Sequence, residues 1–321
     1  MLQIENLSVS YKTREGRIHA LEELNVSVDN GEIFGVVGES GSGKSTLALA
    51  IIGLLPKNAV IEGGEILLDG KNILKLKPEQ ARHIRGKTVS LVFQGAMNTL
   101  NPLMRIEDQV AEPLIIHRVA NRQDALKKAR ETLEVIGLDS YTWKKYPHEL
   151  SGGMRQRAVI ATAMIMNPRI IIADEPSTAL DVITQAQLMN LLKDLKKRLD
   201  ISIIFISHDF PLVSEMADRI LILYGGKPSE IGTNEQILKK SGHPYTLGLI
   251  NSVPIVTSNV RPVAIPGEPV NVKNPPSGCR FMPRCKIAVN QCKIYDYVPK
   301  EPEKGHVIFC ARYGVDNDGS S

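Results

Sequence analysis

Cysteine is absent from the first 278 of the 321 residues, tryptophan occurs once, and aromatic residues make up 5% of the chain. A disulfide framework spread through the fold is excluded, and the chemistry of Cys279, Cys285, Cys292 and Cys310 is confined to the last 43 residues. No run of 18 apolar residues occurs, so no membrane-spanning helix is predicted. The start, with Glu5 early, lacks a basic-then-apolar pattern, and no secretory leader is expected. Lys and Arg number 39 against 35 Asp and Glu, for a net charge of +4 with no block of five like charges, so charge does not point to nucleic acid. What is present is an ordinary globular composition, 43% apolar and 23% charged. At about 150 residues per domain the length suggests two domains.

Up to about residue 232, short β-branched runs alternate with helix-period segments, which reads as α/β with a mostly parallel sheet. The clearest strands are Ile33 to Val37, Val89 to Phe93, Ile170 to Ala173 and Ile203 to Ile206, each nearly continuous and apolar, as strands covered on both faces are. The clearest helices are Lys44 to Leu55, Arg122 to Ile136, Gly152 to Met166 and Ile183 to Leu199. Strand signals vanish between Phe93 and Met166, so a helical insertion is predicted over about 94–166. After an amphipathic stretch, Thr233 to Lys240, seven prolines fall within thirty residues, from Pro254 to Pro283. Such a segment cannot form long helices or central strands, and is expected to be an extension held by something other than an apolar core.

Three motifs carry chemistry. Gly38, Glu39, Ser40, Gly41, Ser42, Gly43, Lys44 and Ser45 form a Gly-x-x-x-x-Gly-Lys-Ser loop between a strand and a helix. Its N–H groups can cradle phosphate at a helix N-terminus, with Lys44 reaching the β- and γ-phosphates and the Ser45 hydroxyl ligating Mg²⁺. Thr46 follows and is counted with the nucleotide-binding residues. The apolar run Ile170 to Ala173 ends in Asp174 and Glu175, at the end of a strand where open α/β sheets bind ligands. Asp174 is assigned to Mg²⁺ and Glu175 to polarising the water that attacks the γ-phosphate. Ser151-Gly152-Gly153 opens a helix and makes a second anion-binding turn.

Leu150-Ser151-Gly152-Gly153, with Met154 where Gln is most frequent, resembles the signature of the ATP-binding cassette family, and the resemblance extends over about residues 1 to 235. It implies a P-loop NTPase (RecA-like) α/β core with an antiparallel β edge and an inserted α-helical subdomain. By the same resemblance Gln94 contacts Mg²⁺ and the attacking water, His208 contacts the γ-phosphate, Tyr11 stacks on adenine, and Asp181 lies in the loop that crosses between subunits. The family places the phosphate loop of one subunit against the Ser-Gly-Gly turn of another. One copy of each half-site is present here, so a second ATPase subunit, identical or related, is expected, with two ATP and Mg²⁺ per dimer. Gly95 to Pro102 corresponds to the start of the insertion that receives a coupling helix from membrane-embedded partners.

Residues 236–321 form the second predicted unit. His243-Pro244-Tyr245-Thr246, Ile265-Pro266-Gly267 and the run from Pro275 to Cys285 resemble the loop-rich C-terminal extension of ATPase subunits of oligopeptide and dipeptide importers. That implies two permease subunits, an extracytoplasmic binding protein, and a place at the cytoplasmic face of the cell membrane. Nickel complexes or sugars are alternative cargoes, and a soluble cassette ATPase outside transport is the alternative class. The cysteines are separated by five, six and seventeen residues, unlike the two-to-four spacing of ordinary zinc sites. The resemblance implies a 4Fe-4S cluster, with zinc or free or oxidised thiols as alternatives.

Overall fold

The computed structural model describes residues 1–95, 99–253 and 263–314. In chain order its strands and α-helices are β1 (Leu2–Thr13), β2 (Gly16–Val28), β3 (Ile33–Val37), α1 (Lys44–Ile52), β4 (Ala59–Leu68), β5 (Lys71–Asn72), α2 (Pro78–Ile84), β6 (Val89–Val92), α3 (Ile106–Ile116), α4 (Arg122–Val135), α5 (Ser140–Trp143), α6 (Gly152–Met164), β7 (Ile170–Asp174), α7 (Val182–Leu199), β8 (Ser202–Ser207), α8 (Phe210–Met216), β9 (Arg219–Tyr224), β10 (Lys227–Thr233), α9 (Asn234–Lys240), α10 (Pro244–Asn251), β11 (Lys300–Glu303) and β12 (His306–Ile308).

The four strands expected from their apolar runs, β3, β6, β7 and β8, form the parallel centre of one sheet together with β9, which was not expected, in the order β9-β3-β8-β7-β6. Every residue of β3, β7 and β8 is buried, because helices or a second sheet cover both faces. α8 lies so close to β3 that a Cβ on Gly35 would sit 2.8 Å from the Ala217 methyl. A second, antiparallel sheet, β2-β1-β4-β5, covers the other face, with α1 among the residues between the two sheets. That position explains why α1 is apolar nearly all round: Leu47, Ala48, Ala50 and Ile51 are buried.

The predicted helical insertion corresponds to α3, α4, α5 and α6, whose inward residues (Val110, Ala129, Leu133, Ile160) join a second core with α7 and α8. Ends shift by a few residues for local reasons. α1 stops at Ile52 because Gly53, at φ 66°, turns the chain so that the N–H groups of Gly53 and Leu54 close on Ala50 and Leu49. α7 starts one residue early because the Asp181 carboxylate caps it. Within Gly95 to Pro102, residues 96–98 lie outside the described part, as do Pro254 and Pro262.

The expectation that the extension lacks apolar anchorage is corrected. It is loop-rich, but the short β11–β12 hairpin adds two antiparallel strands to the edge of the main sheet through β10. Tyr245, Cys279, Phe281 and Cys292 join the same core as α3–α8, with the Tyr245 and Phe281 rings 5.3 Å apart. A buried carboxylate completes the attachment. Glu230 on β10 accepts hydrogen bonds from the N–H groups of Gly242 (3.0 Å) and His243 (3.1 Å) and lies 2.7 Å from Nε2 of His306. The short apolar pieces could not be read as core from sequence because each is isolated between prolines.

His243 is fully enclosed and uses Nδ1 to accept the Tyr245 N–H at 3.0 Å, which caps α10. Burial holds its pKa down at about 3, against 6.5 for a free histidine. Below 6.5 the unfolded chain binds a proton at this position that the folded chain refuses until about 3, so stability falls as pH drops through that window. His243→Asn keeps a capping acceptor and removes the titration. Unfolding measured from pH 7.5 to 4 should show a shallower loss of stability in the variant than in the parent, and parallel slopes would remove His243 from the pH response.

Candidate nucleotide site

The phosphate loop leaves β3 at Val37 and enters α1 at Lys44. Gly38 and Gly43 are required by close approach: a Cβ on Gly38 would collide with the Leu223 carbonyl oxygen, and one on Gly43, at φ 103°, would meet Ala20 and lie 2.7 Å from the Leu21 side chain. The loop is closed by its own lysine. Lys44 is 5% exposed, and its ammonium donates to the carbonyls of Gly38 (2.6 Å) and Glu39 (2.9 Å). Burial lowers its pKa, while the carboxylates of Glu175, Asp174 and Glu39 pull it back up. Ser42 Oγ is buried without a hydrogen-bond partner.

The two carboxylates that end β7 diverge. Asp174 is buried, shares a hydrogen bond with the Ser45 side chain, and leaves Oδ1 unpartnered; burial raises its pKa. Glu175 adopts a left-handed backbone at φ 49°, which turns its side chain away from the strand. Its Oε1 lies 2.9 Å from Nδ1 of His208, while its Oε2 accepts from the Thr178 hydroxyl at 3.1 Å and from the Gln94 amide at 3.4 Å. Gln94, Glu175 and His208 therefore form one hydrogen-bonded group although they come from three different strand ends. Only the resemblance had joined Gln94 and His208 to it.

These residues open on a cavity of about 700 Å³ together with Tyr11, Glu39, Ser40, Gly41, Gly43, Lys44, Ser45 and Thr46. The Tyr11 hydroxyl is 3.0 Å from the Thr46 hydroxyl, which holds the ring at the cavity wall. Val272, from the extension, lines the same cavity and was not anticipated. Nor were Thr178, Tyr245 and Arg284. Thr178 sits three residues past Glu175 and could have been weighed for that spacing; the other two lie more than 200 residues from the loop they contact, and no local pattern marks them.

Ser151, Gly152, Gly153 and Asp181 are not brought to this cavity within the chain. Ser151 caps α6, accepting the Met154 N–H at 3.3 Å, and with Gly153 and Met154 lines a separate hollow of about 290 Å³. A Cβ on Gly153 would lie 2.5 Å from the Thr184 methyl, so the glycine permits contact between α6 and α7. Asp181 accepts from both the N–H (2.9 Å) and the hydroxyl (2.6 Å) of Thr184, hydrogen bonds that hold its pKa down. Beside it, Val182 and Ile183 are 82% and 73% exposed.

The four cysteines are unpaired, with Cys279, Cys292 and Cys310 buried and Cys285 half-buried. The Cys279 N–H donates to the Cys292 carbonyl at 2.8 Å. Burial pushes the Cys279 thiol up to about 11, and the other three thiols, close enough to be felt, push it further in the same direction. Among the described residues no three or more His, Cys, Asp or Glu side chains are arranged to hold a metal ion. Among the same residues no helix is long and apolar enough to cross a membrane.

Residues 21–178 match the ABC transporter family, and residues 229–292 match the oligopeptide/dipeptide transporter C-terminal region. The chain is 44% identical over 293 residues to the dipeptide transport ATP-binding protein DppD of Lactococcus lactis, covering 90% of this chain and 84% of the relative. To the oligopeptide transport ATP-binding protein OppD of Haemophilus influenzae it is 41% identical, covering 92% of each. Among solved structures, the ATP-binding cassette MJ0796, dimeric in a post-hydrolysis state bound to ADP and Pi, has a TM-score of 0.65 at 31% identity, covering 73% of this chain and 99% of that one. The likeness takes in the cassette and the extension together: the chain belongs to the ATP-binding cassette family, in the branch of the dipeptide and oligopeptide transport ATP-binding proteins.

Proposed function

We propose that this chain is the ATP-hydrolysing subunit that powers import of dipeptides or oligopeptides across a membrane. The observation that carries the reading is the group around Glu175, held by His208, Thr178 and Gln94 in the cavity that also contains Lys44. With ATP bound, Lys44 exchanges the carbonyls of Gly38 and Glu39 for phosphate oxygens. Glu175 accepts a proton from water as its oxygen bonds to the γ-phosphorus and the bond to the ADP oxygen breaks. His208, through Nδ1, holds Glu175 in place and presents the other side of its ring to the γ-phosphate. Tyr11 offers the adenine a ring to stack on.

The donor set fits Mg²⁺. Asp174 has an unpartnered buried oxygen beside the Ser45 hydroxyl, and Gln94 reaches the same cavity, so these three would hold the ion. When bound, it would neutralise charge on the β- and γ-phosphates.

The separation of Ser151-Gly152-Gly153 from the phosphate loop supports a site completed by the signature turn of a second ATPase subunit, identical or related. Asp181 and the exposed Val182 and Ile183 would lie near that junction. Two permease subunits and an extracytoplasmic binding protein complete the importer, with this chain at the cytoplasmic face of the membrane. We further infer that Cys279, Cys285, Cys292 and Cys310 hold a 4Fe-4S cluster: the donors are all thiols, three are buried, and Cys279 lies close enough to the other three to feel them.

Glu175→Gln should bind ATP and hydrolyse it at least about a hundredfold more slowly, a loss in the range of removing a general base, with closed dimers accumulating on size exclusion in ATP. Turnover at the parent rate would remove Glu175 from the role of base. Lys44→Ala should instead lose ATP affinity. For the cysteines, anaerobic purification followed by iron, sulfide and zinc analysis should return iron and acid-labile sulfide in equal amounts. Zinc in their place, or protein free of both metals, would refute the cluster.

A further inference from the structure

Glu39, the first residue after Gly38 in the phosphate loop, is gripped through every polar group it has. Its carbonyl accepts from Lys44 and from the Ser42 N–H, and its own N–H donates to the Tyr245 hydroxyl at 3.1 Å. Its two carboxylate oxygens lie 2.9 and 2.8 Å from Nη1 of Arg284. Tyr245 and Arg284 both come from the C-terminal extension.

The Arg284 side chain is 6% exposed. Nε donates to the Pro266 carbonyl at 2.8 Å, Nη2 to the Ile265 carbonyl at 3.4 Å, and Nη1 also to the Tyr224 hydroxyl at 3.2 Å. The guanidinium lies 5.7 and 6.0 Å from the centres of the Tyr224 and Phe281 rings. Glu39, whose side chain is 25% exposed, thus supplies the anionic partner of a nearly buried guanidinium, with both of its oxygens held by the one nitrogen Nη1.

A carboxylate within a loop that must receive a triphosphate is a liability unless its charge is cancelled. We propose that Arg284 is a positioning residue for the phosphate loop: by cancelling the charge of Glu39 and fixing its side chain, it makes the loop receptive to a polyanion. The C-terminal extension, Tyr245 included, is therefore part of the nucleotide-binding machinery as well as an appendage to it. Cys285 directly follows Arg284, so the thiol cluster and the loop are joined through one residue's backbone. The inference rests on the assignment of this cavity to nucleotide.

The experiment measures the equilibrium affinity of the full chain for ATP by displacement of a fluorescent nucleotide, at low and high salt. Arg284→Gln should weaken binding about tenfold at low salt, the size expected of one uncancelled charge a few ångströms away in a medium of intermediate dielectric. Glu39→Gln/Arg284→Gln should recover most of that loss, since no charge remains to repel the phosphates. A purely structural prop predicts a double variant as weak as the single one. Unchanged affinity in Arg284→Gln, or no recovery in the double variant, overturns the proposal. Should Arg284→Gln fail to fold, Glu39→Gln carries the test: it should bind ATP more tightly than the parent, and binding no tighter overturns the proposal. Lys44→Ala binding ATP as the parent does would sink the assignment of the cavity to nucleotide instead.

Discussion

A buried ammonium organises this molecule. Lys44 enters the interior at the head of α1 with two backbone carbonyls for partners, and its desolvation is partly offset by three carboxylates, Glu175, Asp174 and Glu39, contributed by two different segments. A cation held this way has a limited range of stable surroundings: it must keep its carbonyls or find stronger acceptors, and a phosphate is a stronger acceptor than a peptide oxygen. The glycines follow from the same constraint, because the loop can turn its carbonyls toward Lys44 only where Gly38 and Gly43 let it pass against Leu223 and Ala20. The carboxylates in turn need rigid seats, which the ends of β7 and the loop itself provide.

What could be read from the residues depended on how far apart the interacting groups are in sequence. Most of the parallel strands were legible because β3, β7 and β8 are buried on both faces and so carry unbroken apolar runs, whereas β9, parallel to β3, was not named. The outer antiparallel strands were not individually legible. β1 and β4 alternate burial irregularly, with register shifts around Leu7 and Val9, so their period is blurred. The phosphate loop was complete in eight consecutive residues. The group around Glu175 was not, since Gln94 and His208 approach it only after three strands have aligned, and neither carries a local mark. The extension was the least legible part, because its anchors are single residues, Tyr245, Phe281 and Arg284, each meaningful only against the cassette they touch.

Ion pairs that bind the extension to the cassette fall into two classes. Lys273 with Glu15 is an exposed pair, and pairs of that kind contribute about 0–1 kcal/mol. Arg280 with Glu22 and the Gly225 carbonyl, Arg284 with Glu39, and His306 with Glu230 each place at least one partner at 6% exposure or less. Breaking one of these strands a charged or polar group in the interior, which costs far more than the pair gains over water. The second class therefore determines where the extension sits: against the β9–β10 turn, against β10 itself, and against the phosphate loop.

The backbone at Glu175 shows how the divergence of the two carboxylates is maintained. A left-handed conformation costs a residue with a side chain about 1–3 kcal/mol and persists only where neighbours over-determine it. Here the Glu175 N–H is tied to the Ile206 carbonyl at 2.9 Å and its carbonyl receives the Thr178 N–H at 3.2 Å, so the turn is held from both sides. Its consequence is geometric. On a continuing strand, Asp174 and Glu175 would point to opposite faces of the sheet and one of them would be lost to the site. The turn lets Asp174 stay against Ser45 while Glu175 swings to His208 and Gln94. One local strain thus sends the two carboxylates to different partners, Asp174 to Ser45 and Glu175 to His208 and Gln94, with a single peptide bond between them.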